Sequence, residues 1–472
     1  MILQLYNTLS HRKEVFKPIE TGKVKIYICG VTVYDKSHLG HARGAINFDV
    51  MRNVLKELGY KVNYVKNYTD IDDKMINRAK QRGITVAQLA EEQIKLHDQD
   101  MASLMINPPE IAPKATDHIS EMIEITGRLI EKGYAYESKG DVFFRVRRFP
   151  EYGKLSWKNI DHLISGTRVE VNENKEDALD FALWKSAKPG EPSWGSPWGP
   201  GRPGWHIECS AMVNKHLGET IDIHAGGSDL IFPHHENEIA QSECANGKVF
   251  ANYWMHNGMV KIQQQKMSKS LGNFATIEDL VQQYHPELIR FFTLSTQYRQ
   301  PLDYNTEAIA KISEGLDRIY GALESFERMY GHNQIDTEPD AKKTKVYTKR
   351  FMEAMCDDLN SPLAIAILFN ITKALNTSLK DFEQAFSLYH CLLKSGEILG
   401  ILQASPTEWF TRPRIRKEGE QLTDADIDSL VSQRKQAREE KNWSLADEIR
   451  DKLDSASISV EDKNGKTTWR RK

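Results

Sequence analysis

Apolar and polar residues follow one another along this chain in patterns that change character twice. Val24-Lys25-Ile26-Tyr27-Ile28-Cys29 is a short, β-branched apolar run closed by Gly30, the mark of a buried strand and a turn. Ile46, Val50, Val54 and Leu58 then recur every four residues up to Gly59, which predicts an amphipathic helix over 44–58. Residues 62–68 alternate again, and Thr69 with Asp72 three residues on reads as the opening of another helix. Strand, helix, strand, helix in this order predicts an α/β fold with a parallel sheet and right-handed crossovers.

At Asn107-Pro108-Pro109 the pattern breaks. Residues 141–146 look like a strand running into Arg147 and Arg148, and the Gly/Pro-rich stretch 189–204 reads as a loop without regular structure. The α/β pattern resumes at Trp205, with a strand over 221–224 and a helix over 234–245. Residues 1–104 and 205–305 are therefore expected to be two halves of one domain, with 105–204 inserted. Ile309, Ile312 and Leu316, then Leu363, Ile367, Ile371 and Leu375, predict an α-helical bundle over 306–403. A linker-like stretch over 404–420 carries two prolines and the basic residues Arg412, Arg414, Arg416 and Lys417. A small module over 417–472 ends the chain. In it Thr423 caps a helix through Ile427, Leu430 and Val431, and Trp443, Ala446, Ile449 and Leu453 mark the apolar face of a second helix. A hairpin over 458–472 turns at Asn464-Gly465.

With 472 residues, 40% of them hydrophobic, the chain can bury several cores. Its 63 Lys+Arg nearly balance its 66 Asp+Glu, so nucleic acid would be met by local patches rather than by an overall field. Apolar runs fall short of the ~18 residues of a membrane span. No charged-then-apolar leader precedes Leu3-Gln4-Leu5-Tyr6, so a cytoplasmic location with no membrane partner is expected. Five scattered cysteines argue against a disulfide framework and leave thiols for metal binding or catalysis.

Two motifs carry chemistry by themselves. His38-Leu39-Gly40-His41 falls where the first strand gives way to the first long helix, the end of an α/β sheet at which ligands bind. Two histidines three apart can donate to a triphosphate, and Gly40 lets base or ribose approach the backbone. Lys266-Met267-Ser268-Lys269-Ser270 sets two ammonium groups among hydroxyls, suited to charge growing on a pyrophosphate leaving group. Such a displacement needs positioning and neutralisation more than a general base.

Both motifs in this order, on either side of an insertion, resemble the class I aminoacyl-tRNA synthetases. The segments Cys29-Gly30-Val31-Thr32-Val33-Tyr34-Asp35, Asn67-Tyr68-Thr69-Asp70-Ile71-Asp72-Asp73-Lys74, Gly204-Trp205-His206-Ile207-Glu208-Cys209-Ser210 and Phe232-Pro233-His234-His235-Glu236-Asn237-Glu238 are similar to the cysteinyl-tRNA synthetase family within that class. Leu39, where that family often has isoleucine, is a minor departure. The resemblance implies a Rossmann-like catalytic domain with an inserted connective segment, then the bundle and a C-terminal anticodon-binding module. It implies zinc on Cys29, Cys209, His234 and Glu238. Two thiolates, an imidazole and a carboxylate are a sound zinc set, and His234 and Glu238, four apart on a helix, share a face. His235 and Cys244 are nearby alternatives, the first expected to face away from His234 and the second about a turn and a half beyond Glu238.

The resemblance also implies that Thr69 and Trp205 lie near the substrate amino acid, and His206 and His224 are further pocket candidates. Asp70, Asp72 and Asp73 are read instead as favourable charge in the first turn of a helix. Cysteine differs from serine by one atom, and an apolar pocket separates such near-isosteres by only ~1–3 kcal/mol. A soft metal ion that prefers thiolate to hydroxyl supplies the missing discrimination.

The expected function is activation of L-cysteine with ATP, accompanied by Mg²⁺, and transfer of cysteine to the 3′ end of a cognate tRNA by a monomeric enzyme. Arg434, Lys435, Arg438 and Lys441, with Trp469, Arg470, Arg471 and Lys472, would meet the anticodon loop. A ligase joining cysteine to an amino-sugar would share the catalytic half but have no use for residues 422–472. A zinc-dependent RNA-binding protein without catalysis would leave the Lys-Met-Ser-Lys-Ser segment unexplained.

Overall fold

β1 (Lys23–Thr32), β2 (Lys61–Thr69), β3 (Ile221–Gly227) and β4 (Ala251–Asn257) lie parallel in the spatial order β4-β3-β1-β2. The computed structural model describes residues 1–159, 173–262, 265–266, 275–331, 338–411, 414–415, 422–456, 458–463 and 466–471. Two compact units are distinguished, one of residues 1–277, 293–304 and 352–364, the other of 278–292, 305–351 and 365–472. Val24, Ile26, Tyr27 and Ile28 are buried on both faces of β1, as a central strand of a covered parallel sheet requires.

β1 does not stop at Gly30. It continues to Thr32 with a register break between Ile28 and Val31. Gly30 serves close approach: a Cβ there would stand 1.6 Å from the Asn67 carbonyl oxygen, and the Gly30 N–H donates to Asn67 Oδ1 at 2.8 Å. After β1 the helix α1 (Leu39–Glu57) begins five residues earlier than its apolar spacing indicates, because His38 and His41 form its cap. Thr69 closes β2 instead of opening a helix. The N-cap is Asp72, whose carboxylate accepts from Met75 N–H at 2.9 Å, and Asp73 starts that helix. Asp70 precedes it and accepts from the Thr116 N–H and hydroxyl.

Arg43 on α1 is fully buried. Its guanidinium donates to the carbonyls of Gly258 at 2.8 Å, Met259 at 3.0 Å, Gln297 at 3.5 Å and Tyr298 at 3.2 Å, and also to that of Gln300. One side chain thus gathers the turn after β4 and the segment 297–300 onto the helix.

An antiparallel four-stranded sheet is built from Ala135–Ser138, Asp141–Phe144, Phe181–Ser186 and Gly201–Pro203 in sequence order. The stretch 189–204 is therefore not wholly irregular. Its last residues pair with Trp184, Lys185 and Ser186, and Trp194 bridges to Gly201. α2 (Trp205–His216) follows, and α3 (Glu236–Asn246) begins two residues later than expected, after a wide turn over Ile231–His235.

The second unit holds the long helix Thr306–Tyr330, the helix Phe382–Leu399 and the six-residue helix Pro406–Thr411 within the expected linker. Buried Glu287 accepts three consecutive backbone N–H groups, Leu402 at 2.9 Å, Gln403 at 2.7 Å and Ala404 at 2.9 Å, besides the Tyr320 hydroxyl at 2.7 Å. Glu287→Ala strands all four donors, so a loss of about 3 kcal/mol or more in denaturant unfolding of this unit is expected, with Glu287→Gln retaining part of it. At the end of the chain Thr423 caps Asp424–Glu439 through a reciprocal bond with Asp426. Ile427, Val431, Ile449, Leu453 and Ile458 form the module's core. Trp443, expected on that apolar face, is 59% exposed; it opens its helix beside the Asn442 cap, where the chain has not yet reached the core. The turn at 464–465 lies outside the described residues.

Candidate functional site

Four elements of the first unit end at one point. Cys29 comes from the carboxyl end of β1, Cys209 from the second turn of α2, His234 from the wide turn and Glu238 from the first turn of α3. Cys29 Sγ lies 3.7 Å from Cys209 Sγ and 3.3 Å from Glu238 Oε1. His234 Nε2 lies 3.6 Å from Cys209 Sγ and 3.0 Å from Glu238 Oε1. Metal–ligand lengths of about 2.3 Å to sulfur and about 2.0 Å to nitrogen give tetrahedron edges of roughly 3.8 Å between sulfurs and roughly 3.5 Å from sulfur to nitrogen. The cluster is spaced as a tetrahedral zinc set, and its donor types suit that ion.

A second group of donors, Cys29, His224, His235 and Glu238, overlaps the first. His235 does not face away from His234: its Nε2 is 3.2 Å from Cys29 Sγ. The turn over Ile231–His235, interrupted by extended backbone at Phe232, brings both rings inward where a regular helix would splay them. His224 Nε2 stands 2.8 Å from Glu238 Oε2, a hydrogen-bond length, so this imidazole holds the carboxylate's other oxygen. Behind His235, His256 Nε2 is 2.8 Å from His235 Nδ1, and His256 Nδ1 is 2.8 Å from Thr8 Oγ1. Cys244 is in neither group; burial raises its thiol to about 12.

Burial and the Cys209 neighbour push the Cys29 thiol well up, whereas the bond from Cys29 lowers Cys209 to about 6. Burial pulls His234 down, but Glu238 and Cys209 outweigh it and raise the imidazole to about 10. Burial likewise works against the Glu238 carboxylate, and His224 and His234 overcome it, holding its pKa well below the usual range.

Beside the cluster, Trp205 stacks on His234 with ring centroids 4.2 Å apart, and His206 Nδ1 lies 2.9 Å from His234 Nδ1. Two of the pocket candidates, His206 and His224, thus act on cluster side chains directly. Thr69 Oγ1 donates to Glu208 Oε2 at 2.8 Å, both residues being buried. Glu208, Asn67 and His256 were not singled out by their sequence pattern, and His235 only as an alternative ligand. An acid inside the apolar run next to Cys209 was the available signal for Glu208.

At the start of α1 the His38 side chain accepts from Gly40 N–H at 3.1 Å through Nδ1, and His38 N–H donates to His41 Nδ1 at 3.4 Å. The two half-buried rings stack at 3.6 Å. An Nδ1 that accepts places the proton of a neutral imidazole on Nε2 in each ring. The residues following the lysine segment are tied here: Leu39 N–H donates to the Ala275 carbonyl at 3.1 Å and Ile277 N–H to that of Ser37 at 3.0 Å. Lys266 ends the short strand Gln265–Lys266, and Lys269 lies outside the described residues.

In the C-terminal module Arg434 and Arg438 both meet Asp462, and Trp469 Nε1 donates to Asp428 at 2.7 Å. Arg470 pairs with Glu324 at 2.5 Å, while buried Arg471 donates to the carbonyls of Thr411 and Leu422, each at 3.1 Å. These side chains brace the module. Arg412, Arg416, Lys417 and Lys472 lie outside the described residues.

Comparison with known proteins adds three matches along the chain. Residues 15–314 match the family described as tRNA synthetases class I (C) catalytic domain, 350–403 the DALR domain, and 421–470 the cysteinyl-tRNA ligase anticodon binding domain. A cysteine–tRNA ligase of Geobacter metallireducens is 48% identical over 483 residues, and one of Methylococcus capsulatus 48% over 472, each spanning 100% of both chains. Mycobacterium tuberculosis methionyl-tRNA synthetase in complex with methionyl-adenylate shares the fold at a TM-score of 0.60 and 16% identity, over 80% of this chain and 90% of that one. A ternary LeuRS–tRNA–LeuAMS complex from Agrobacterium radiobacter K84 does so at 0.59 and 11%, over 95% of each.

Proposed function

Because the chain belongs to the cysteine–tRNA ligases, a family of class I aminoacyl-tRNA synthetases, we propose that Cys29, Cys209, His234 and Glu238 hold a zinc ion that reads the substrate thiol. The enzyme joins L-cysteine to tRNA at the expense of ATP. The tetrahedral spacing of the four donors carries the reading of zinc. Zinc there supplies a soft Lewis acid that favours thiolate over hydroxyl. His206 and His224 fix the rings and carboxylate around it, and Thr69 and Trp205 line the amino-acid pocket.

In the activation step the cysteine carboxylate attacks the α-phosphate in line, and pyrophosphate leaves. His38 and His41 donate from Nε2 to the triphosphate over Gly40, and Lys266 and Lys269 neutralise the leaving charge. Mg²⁺ accompanies ATP. The terminal ribose hydroxyl of tRNA then attacks the acyl carbon and releases AMP. The catalytic domain comprises 1–104 and 205–305, with 105–204 inserted, 306–403 as the bundle and 417–472 as the anticodon reader. The enzyme acts as a cytoplasmic monomer. The match over 421–470 disfavours an amino-sugar ligase. Cysteine-dependent ATP–pyrophosphate exchange together with charging of tRNA tests the reading; exchange without charging overturns the tRNA half.

At pH 7 the unmetallated cluster holds a proton on Cys29 and another on His234, while Cys209 is largely thiolate. Zinc binding should therefore release about two protons at pH 7, so that it weakens as the pH falls from 8 and more steeply below about 6, where Cys209 also takes one up. Calorimetry in buffers of different ionisation enthalpy measures the release. A zinc affinity constant between pH 5 and 8 would contradict this protonation pattern.

A further inference from the structure

Glu208 is fully buried on α2, one residue before Cys209, and the zinc reading gives it no task. One carboxylate oxygen receives the Thr69 hydroxyl proton at 2.8 Å. The other, Oε1, meets no hydrogen-bond partner among the described residues. A buried carboxylate oxygen without a donor is costly, and such groups persist where a ligand completes them. Thr69 has a single proton, and it is spent on Glu208. Asn67 Nδ2 approaches the same hydroxyl at 3.4 Å. Towards a third group Thr69 can therefore only accept. Two acceptors side by side, the open Oε1 and the Thr69 hydroxyl oxygen, fit a donor-only cation.

Resting on the proposed function, we propose that Glu208 and Thr69 together bind the α-ammonium group of the substrate amino acid, Glu208 through its open Oε1 and Thr69 through its hydroxyl oxygen. The placement suits one small molecule gripped at both ends. Asn67 Oδ1 lies 4.0 Å from Cys209 Sγ, so a single asparagine side chain separates the thiol-reading cluster from the Thr69–Glu208 pair. Cysteine sets two carbons between its sulfur and its nitrogen, a comparably short span. An ammonium carries three protons and no lone pair, so it satisfies both acceptors and leaves one proton over. The Thr69 hydroxyl then takes no part in holding the carboxylate, which must face the nucleotide to react. Recognition of the sulfur and of the amine become separate contacts.

Glu208→Gln can keep the Thr69 bond on its carbonyl oxygen while turning an N–H₂ donor towards the ammonium and deleting the charge. The expected result is a rise of roughly 10- to 100-fold in KM for cysteine in ATP–pyrophosphate exchange. The KM for ATP and the zinc content should stay unchanged. Two thiols separate this role from a structural one. Cysteamine keeps the ammonium and lacks the carboxylate; 3-mercaptopropionate keeps the carboxylate and lacks the ammonium. As inhibitors of exchange, cysteamine should weaken by the same factor in Glu208→Gln, and 3-mercaptopropionate should not. Equal weakening of both, or of neither, overturns the proposal. If Glu208→Gln does not fold, Glu208→Asp carries the same comparison, its retained charge giving a smaller but still selective loss. Wild-type protein without any cysteine-dependent exchange would sink the ligase reading itself, an outcome distinct from unselective inhibition.

Discussion

Cys209→Ser should lose its zinc and, with it, cysteine-dependent ATP–pyrophosphate exchange by on the order of 10³-fold. Serine is nearly isosteric, so the fold has no reason to fail, but its hydroxyl is a hard donor that stays protonated at neutral pH. Cys209 matters most among the four because it is the thiol already lowered to about 6, ready to bind metal without first giving up a proton. Its substitution also removes the partner that Cys29 meets at 3.7 Å and His234 at 3.6 Å. Elemental analysis of the purified variant and its exchange rate are the two readouts. Cys244→Ser is the matched control, buried and nearby yet outside both donor groups, and it should retain zinc and rate. Zinc retained in Cys209→Ser at full stoichiometry, with exchange intact, would defeat the ligand assignment.

His38→Asn should reduce kcat for exchange by about 10²- to 10³-fold while moving stability by no more than about 0.5 kcal/mol. The two roles of His38 sit on different ring atoms. Nδ1 caps the helix through Gly40 N–H, and the contact with the triphosphate proposed above runs through Nε2. Asparagine is among the best capping residues and can accept the same N–H, but it places no donor where Nε2 was. His38→Ala loses both roles and should add about 1 kcal/mol of destabilisation to the same loss of rate. Paired denaturation and exchange measurements separate the two effects. If asparagine leaves the rate untouched, His38 is a cap only.

The parallel sheet was legible because β1 and β2 are buried runs of β-branched and aromatic residues separated by one clear helical period. What was not legible depends on partners distant in the chain. Gly30 looks like a turn until Asn67 is seen against it, when the missing Cβ becomes a matter of clearance. The Gly/Pro stretch before Trp205 hides a strand because its order comes from pairing with Trp184 and Lys185. Helical periodicity put His234 and Glu238 on one face, and the distance bears that out, but it sent His235 the wrong way, since a wide turn has no signature in an apolar pattern. Arg470 and Arg471 were read only as groups for an anticodon loop; their bonds to a carboxylate and two carbonyls elsewhere in the fold had no mark in the sequence.

Arg43 sits two positions beyond His41, and the carbonyls it collects belong to the turn after β4, on the approach to the lysine segment, and to the segment 297–300. Lysine offers a point charge to a site built for a planar fork and cannot reach as many oxygens. Conditional alleles of this gene should therefore accumulate at the codon of a side chain that is fully buried and spent on backbone carbonyls. At permissive temperature they would show themselves first as poor use of ATP rather than of cysteine, a defect that looks like active-site damage and originates in the frame around it.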